Sequence, residues 1–180
     1  RLETFEGCAL RKLATRTVFG DGPATARLMV IGEAPGADED RTGVPFVGRA
    51  GKLLDKMLAS IGWPRETVFI TNVVPWRPPG NRNPTPEEVT LCKPFVLRAI
   101  ELIGPEALLL LGGSAAGAIL DRHEGITRLR GRWLDLAVGG REIPVLPTFH
   151  PAFLLRNPPS KALAWRDLLA LKSRSGAPGL

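Results

Sequence analysis

Four short apolar runs recur along this chain, separated by longer amphipathic or polar stretches. Arg27–Ile31 (RLMVI), Val68–Val74 (VFITNVV), Ala107–Leu111 (ALLLL) and Ile143–Phe149 (IPVLPTF) have the length and composition of strands. Ala107–Leu111 carries no polar position, the pattern of a strand covered on both faces in a parallel sheet. Between them the period changes to that of helices. Leu53, Leu54, Met57, Leu58 and Ile61 share one face of a helix over Ala50–Ile61, with Gly62 as its stop. Thr85-Pro86-Glu87-Glu88 offers a cap, a first-turn proline and acids at the positive end of a helix dipole, and starts a helix that runs to about Ile103. Gly112-Gly113-Ser114 turns into a short helix ending near Leu120, and Pro159–Lys172 forms the last one. Residues 1–26 read as irregular, and residues 121–142, basic with two Gly-rich turns, as a candidate hairpin.

This alternation predicts a three-layer α/β/α sandwich around a central four-stranded, mostly parallel sheet, in one domain spanning residues 1–180. Ligands of such sheets bind beyond the carboxyl ends of the strands. The loops there are 32–48, 72–86, 112–114 and 150–158, so these are expected to converge.

Composition narrows the class. With 180 residues, 44% hydrophobic and 23% charged, the chain is neither disordered nor collagen-like. No apolar run approaches the length of a membrane span, and no charged-then-apolar-then-small leader pattern opens the chain, so a cytoplasmic location is expected. Two cysteines, Cys8 and Cys92, make no disulfide framework. Lys and Arg number 24 against 18 Asp and Glu, a net charge of +6. That balance suits an anionic partner such as nucleic acid, and it equally serves solubility.

Candidate chemistry gathers in the predicted loops. Glu33 stands at the tip of the first strand, as a functional acid, a solvated residue or a cap partner. His150, one of two histidines, stands at the end of the fourth strand in the same rim. Asn72 ends the second strand; its amide can donate and accept at once, which suits a carbonyl next to an N–H, or it simply turns the chain. Phe46, in a Gly/Pro loop, either stacks on a flat ring or pins the loop to the core.

Together, Gly32-Glu33-Ala34-Pro35-Gly36, Pro45-Phe46-Val47-Gly48, Thr71-Asn72-Val73-Val74, Arg77-Pro78-Pro79-Gly80-Asn81-Arg82 and His150-Pro151-Ala152 resemble the uracil-DNA glycosylase superfamily, and within it the thermophile-type family 4. The likeness runs from about Cys8 to Trp165. It implies a monofunctional DNA repair enzyme that flips uracil out of DNA and hydrolyses its N-glycosidic bond, leaving an abasic site. Glu33 then matches the acid that positions water or stabilises the cationic sugar, and His150 the group that stabilises charge on the departing base. Phe46 matches the stacking aromatic and Asn72 the base-reading amide, with Ala34 and Gly36 in the substrate-binding first loop. Ser114 matches a phosphate-contacting turn. Leu154, Leu155 and Arg156 match the loop that enters the minor groove, one leucine acting as a wedge. Glu39 and Asp40 match supporting acids of the first loop. The implied partner is uracil-containing DNA, bound by a monomer without a membrane. The competing reading from another class is a non-catalytic binder of uracil-containing or single-stranded DNA; the presence of both Glu33 and His150 counts against it. An unrelated nucleotide-binding protein is disfavoured because no glycine-rich phosphate loop follows the first strand.

One departure stands out. Family 4 members hold an iron–sulfur cluster on four cysteines. Here only Cys8 and Cys92 match, and the other two positions fall at Phe5 and Trp76. No metal or cofactor is therefore expected, with the two aromatics filling the space by packing; a two-cysteine zinc site is weaker because no nearby histidine completes it. The change at Trp76 also suggests a wider base range, including xanthine and hypoxanthine.

Overall fold

The computed structural model describes Leu2 and residues 4–176. Helix α1 (Leu10–Leu13) and strand β1 (Gly20–Asp21) lead into β2 (Leu28–Gly32). There follow α2 (Ala37–Thr42), α3 (Arg49–Ser60), β3 (Phe69–Asn72), α4 (Pro86–Ile103) and β4 (Ala107–Leu111). The chain continues through α5 (Gly113–Leu120), α6 (Ile126–Leu129), β5 (Leu134–Val138), β6 (Arg141–Thr148), α7 (Pro151–Arg156) and α8 (Lys161–Ser175).

The sheet has six strands in the order β1-β3-β2-β4-β6-β5, which corrects the expectation of four. The four expected strands are its parallel centre, and β1 and β5 are antiparallel additions at the two edges. Physical reasons explain why the edges escaped the pattern. β1 has two residues, too few for any period. In β5 the partly buried Leu134, Leu136 and Val138 alternate with exposed Asp135 and Ala137, the signature of a strand packed on one face only. It returns into β6 through Gly139 and Gly140, both at positive φ (58° and 74°). The expected hairpin is thus real but starts only at Leu134.

Two apolar clusters flank the sheet. Met29, Ile31, Leu108, Leu110 and Val145 face α4 and α5, meeting Cys92, Val96, Ile100 and Ile119. Val30, Ile70, Leu109 and Leu146, on the other face, meet Leu54 and Leu58 of α3 and Leu168 and Leu171 of α8. This is the α/β/α sandwich expected, and β4 is fully buried along its length. Helix α4 begins as its sequence indicates. Thr85 Oγ1 accepts from the Glu88 N–H at 3.2 Å and Glu88 Oε2 accepts from the Thr85 N–H at 2.8 Å.

Two segments expected as loops contain helices, α2 inside 32–48 and α7 inside 150–158. Each is a turn and a half long. α2 (ADEDRT) has no apolar stripe, so periodicity is silent there. Register brings the strand ends together: Gly32 lies beside Asn72, and Leu111 beside Thr148. Among the described residues no helix is long and apolar enough to cross a membrane.

Candidate active site

The four parallel strands end at one cleft of about 610 Å³. Asn72, the last residue of β3, is 3% exposed, and its Oδ1 has no hydrogen-bond partner. Leaving a buried acceptor unpaired costs about 1–3 kcal/mol; among the described residues the other buried side-chain atom without a partner is Trp63 Nε1, which does not line the cleft. Gly32 makes a close approach to the Asn72 amide possible. A Cβ there would lie 2.5 Å from both Asn72 Oδ1 and the Phe46 ring. The amide, the aromatic ring and the first-strand glycine are packed edge to edge.

Phe46 sits at φ 54°, a left-handed conformation that a bulky residue adopts only when its surroundings impose it. Two groups do so. Arg65 Nη1 donates to the Phe46 carbonyl at 2.8 Å, and its Nη2 reaches the Pro45 carbonyl. From the other side Glu39 Oε1 accepts from the Val47 and Gly48 N–H groups, both at 2.9 Å, while its Oε2 accepts from the Gly36 N–H at 3.1 Å. Glu39 therefore ties the first loop to the Phe46 loop. Asp40 is buried and accepts from the Thr15 and Arg16 N–H groups at 2.8 and 3.1 Å. The two acids matched as supporting acids spend their oxygens on backbone donors. The Phe46 ring stands 5.6 Å from the His150 ring.

Glu33 lies just past β2, half-buried on the cleft wall with Ala34 and Gly36. Burial raises its pKa above the ordinary 4.5, and a hydrogen bond from the exposed Ser114 at the start of α5 partly offsets this. His150 caps α7, its Nδ1 accepting from the Ala152 N–H at 3.0 Å. Burial, helped by the Arg156 guanidinium and opposed by Glu39, lowers its pKa from 6.5 to about 4. The imidazole is therefore neutral near pH 7. With Nδ1 accepting, its proton is on Nε2, a neutral donor at the cleft.

The wedge candidates part company. Leu154 is 1% exposed in the cluster beneath α3 and α8, so it is a core residue and does not project toward DNA. Leu155 is half-buried and Arg156 exposed, and Arg156 lines the cleft. The cleft also takes in Pro78, Asn81, Arg82 and Asn83 from the proline-rich loop, to which no site role was assigned. Asn81, at φ 56° after Gly80 at φ 64°, accepts from Arg77 Nε at 2.7 Å. Two successive left-handed residues turn this loop sharply, and it supplies part of the cleft wall. The Pro-Gly-Asn tripeptide was the available signal for that turn.

The residues at the expected cluster positions do not fit an iron–sulfur cluster. The whole chain has two cysteines, and the described residues hold no group of three or more His, Cys, Asp or Glu side chains arranged for a metal ion. Cys8 and Cys92 are buried, and burial, then the neighbouring Cys8, pushes the Cys92 thiol far up. Phe5 and Trp76 stack at 6.3 Å with an interplanar angle of 13°, and Phe95 meets Phe5 edge-on at 5.0 Å. Trp76 is 1% exposed and its Nε1 donates to Thr17 Oγ1 at 3.0 Å. Trp76 does not line the cleft, so it does not reshape the base pocket by contact.

Comparison with known proteins agrees with this geometry. The family described as the Uracil DNA glycosylase superfamily matches residues 19–169. A type-4 uracil-DNA glycosylase of Thermotoga maritima is 46% identical over 158 residues, covering 87% of this chain and 81% of that protein. One from Archaeoglobus fulgidus is 45% identical over 155 residues, covering 84% and 78%. A type-5 uracil-DNA glycosylase of Pyrobaculum aerophilum is 36% identical over 151 residues, covering 76% and 66%.

Proposed function

The chain belongs to the uracil DNA glycosylase superfamily, and we propose how its cleft performs that chemistry. The protein is a monofunctional glycosylase that releases uracil from DNA by hydrolysis. The observation that carries the site assignment is the buried, unpartnered Asn72 Oδ1 at the floor of the cleft. Uracil presents an N–H beside a carbonyl. The Asn72 carbonyl accepts from the first while its amide N–H₂ donates to the second, and the orphaned acceptor is satisfied only when the base arrives. Cytosine presents the opposite pattern and would leave both groups opposed.

Phe46, held in its left-handed conformation from both sides, stacks on the extruded ring. As the glycosidic bond breaks, its electron pair passes to the base, and the sugar carbon becomes cationic until water adds and gives up a proton. The His150 Nε2–H stabilises the negative charge on the base as a preorganised neutral donor. The Glu33 carboxylate faces the positive charge on the sugar and the incoming water. Leu155 takes the wedge position that Leu154 leaves by being buried, and Ser114 and Arg156 contact phosphates.

Hypoxanthine and xanthine, like thymine and guanine, also carry a carbonyl beside an N–H, so the Asn72 amide does not by itself exclude the first two from the base range. The test is base release, in EDTA, from labelled oligonucleotides holding a single uracil, xanthine or hypoxanthine, read as alkali-sensitive strand cleavage. Release of uracil with strand cleavage only after alkali supports the reading. DNA binding with no base released from any substrate would replace it with the binding-module reading.

A further inference from the structure

We infer that Asp167, Arg130 and Thr148 form a positioning device that sets His150 at the cleft; the inference rests on the catalytic reading of His150. Asp167, on α8, is 1% exposed. Its carboxylate accepts from Thr148 Oγ1 at 2.7 Å and from Arg130 Nε at 3.1 Å, with Arg130 Nη2 on its other oxygen. Arg130 also donates to the Leu163 carbonyl at 2.8 Å and lies over the Phe149 ring, 5.6 Å from its centroid. The next residue, Gly131, donates its N–H to the Pro147 carbonyl at 2.9 Å. It can be only glycine there: φ is 72° and a Cβ would lie 2.6 Å from Asp167 Oδ1.

Pro147, Thr148 and Phe149 are thus each engaged by one unit, and the following residue is His150. From the opposite side the Gly112 N–H donates to the Thr148 carbonyl at 2.9 Å, fixing the same stretch to β4. None of Asp167, Arg130 or Thr148 lines the cleft, so none is a catalytic residue. A buried ion pair rarely adds stability over apolar residues of the same volume. Its directional bonds do something apolar packing cannot: they fix the rotation and height of the strand end. Phe149 and His150 both line the cleft, so a slip there is felt at the reacting base.

The test uses the full chain and three variants. Thr148→Val keeps the side-chain shape and deletes the hydroxyl; Thr148→Ser keeps the hydroxyl. Asp167→Leu with Arg130→Met removes both charges together and leaves neither buried alone. Single-turnover uracil release, DNA affinity, thermal midpoint and the nitrogen NMR spectrum of the histidine rings are measured on each. With two histidines in the chain, His123 exposed and His150 half-buried, the spectrum assigns itself. For Thr148→Val and the double variant we expect release to slow about tenfold and the His150 ring signals to move. DNA affinity and the His123 signals hold, and Thr148→Ser behaves as the parent. Folded variants with unchanged release and unchanged His150 signals would overturn the inference, as would losses that merely track the unfolded fraction. A parent chain inactive on uracil breaks the functional reading instead, and the His150 signals still decide the positioning role.

Discussion

Asn72 and Trp76 are four residues apart on one segment, yet they belong to two regions built on opposite terms. Around Trp76 every demand of a protein interior is met. The ring is buried, stacked on Phe5, and its one polar atom has a partner in Thr17. Around Asn72 the demands are left open. An amide oxygen is buried with no partner, an aromatic is held at positive φ, an acid is raised and an imidazole depressed by burial. The aromatic region is satisfied in the free protein; the cleft keeps a buried acceptor unpaired, which the proposed function fills with the base. Strain and unpaired groups of this kind mark where binding energy is to be released.

The largest effects are expected at the cleft. His150→Ala and Glu33→Ala should each slow single-turnover base release by roughly a hundredfold or more, with DNA affinity retained. Parallel loss of binding and release in a gel-shift and cleavage pair would merge the two regions into one structural role. Next comes the aromatic region. Trp76→Ala should lower stability by about 3–5 kcal/mol, seen as a thermal midpoint depressed by roughly 10 °C, with the activity per folded molecule kept. Protein purified aerobically or anaerobically should be colourless and iron-free; a visible absorbance band with stoichiometric iron would contradict the packing account.

A smaller effect concerns pH. In the proposed mechanism release needs the Glu33 carboxylate. Because burial raises the Glu33 pKa, activity should fall on acidification at a higher pH than an ordinary carboxyl at 4.5 would give. Ser114→Ala removes the hydrogen bond that lowers this pKa, so the acid limb of the rate profile should move to higher pH. His150, at about 4, should give no inflection near its ordinary 6.5. The smallest effect is at Arg156. Its replacement by Ala should reduce the slope of log affinity against log salt by about 0.9 if it neutralises one phosphate.

The same contrast decides how much was legible without coordinates. The parallel strands and helices α3, α4 and α8 were visible because burial on both faces leaves unbroken apolar runs and capped amphipathic helices leave periodic ones. β1, α2 and α7 were not, being too short or too charged to carry a period. Glu33, Phe46, Asn72 and His150 stand out in the sequence as strand-end and loop residues, and the cleft brings them together. What a one-dimensional pattern does not carry is which of two adjacent leucines faces inward; Leu154 does. Nor does it carry the long-range bonds that employ Glu39 and Asp40, or the meeting of Arg130 with Asp167 across 37 positions. Those bonds depend on where elements end in space, and no local spacing encodes them.

In the proposed function the Asn72 amide reads an N–H beside a carbonyl. Asn72→Asp tests it most directly, because a carboxylate of the same shape can accept from the N–H but cannot donate to the carbonyl. Single-turnover release from matched uracil and cytosine oligonucleotides, with DNA affinity measured alongside, gives the answer. Uracil release should collapse, the uracil-to-cytosine ratio should fall, and DNA affinity should hold. An unchanged uracil rate and preference would contradict that reading and remove Asn72 from base recognition.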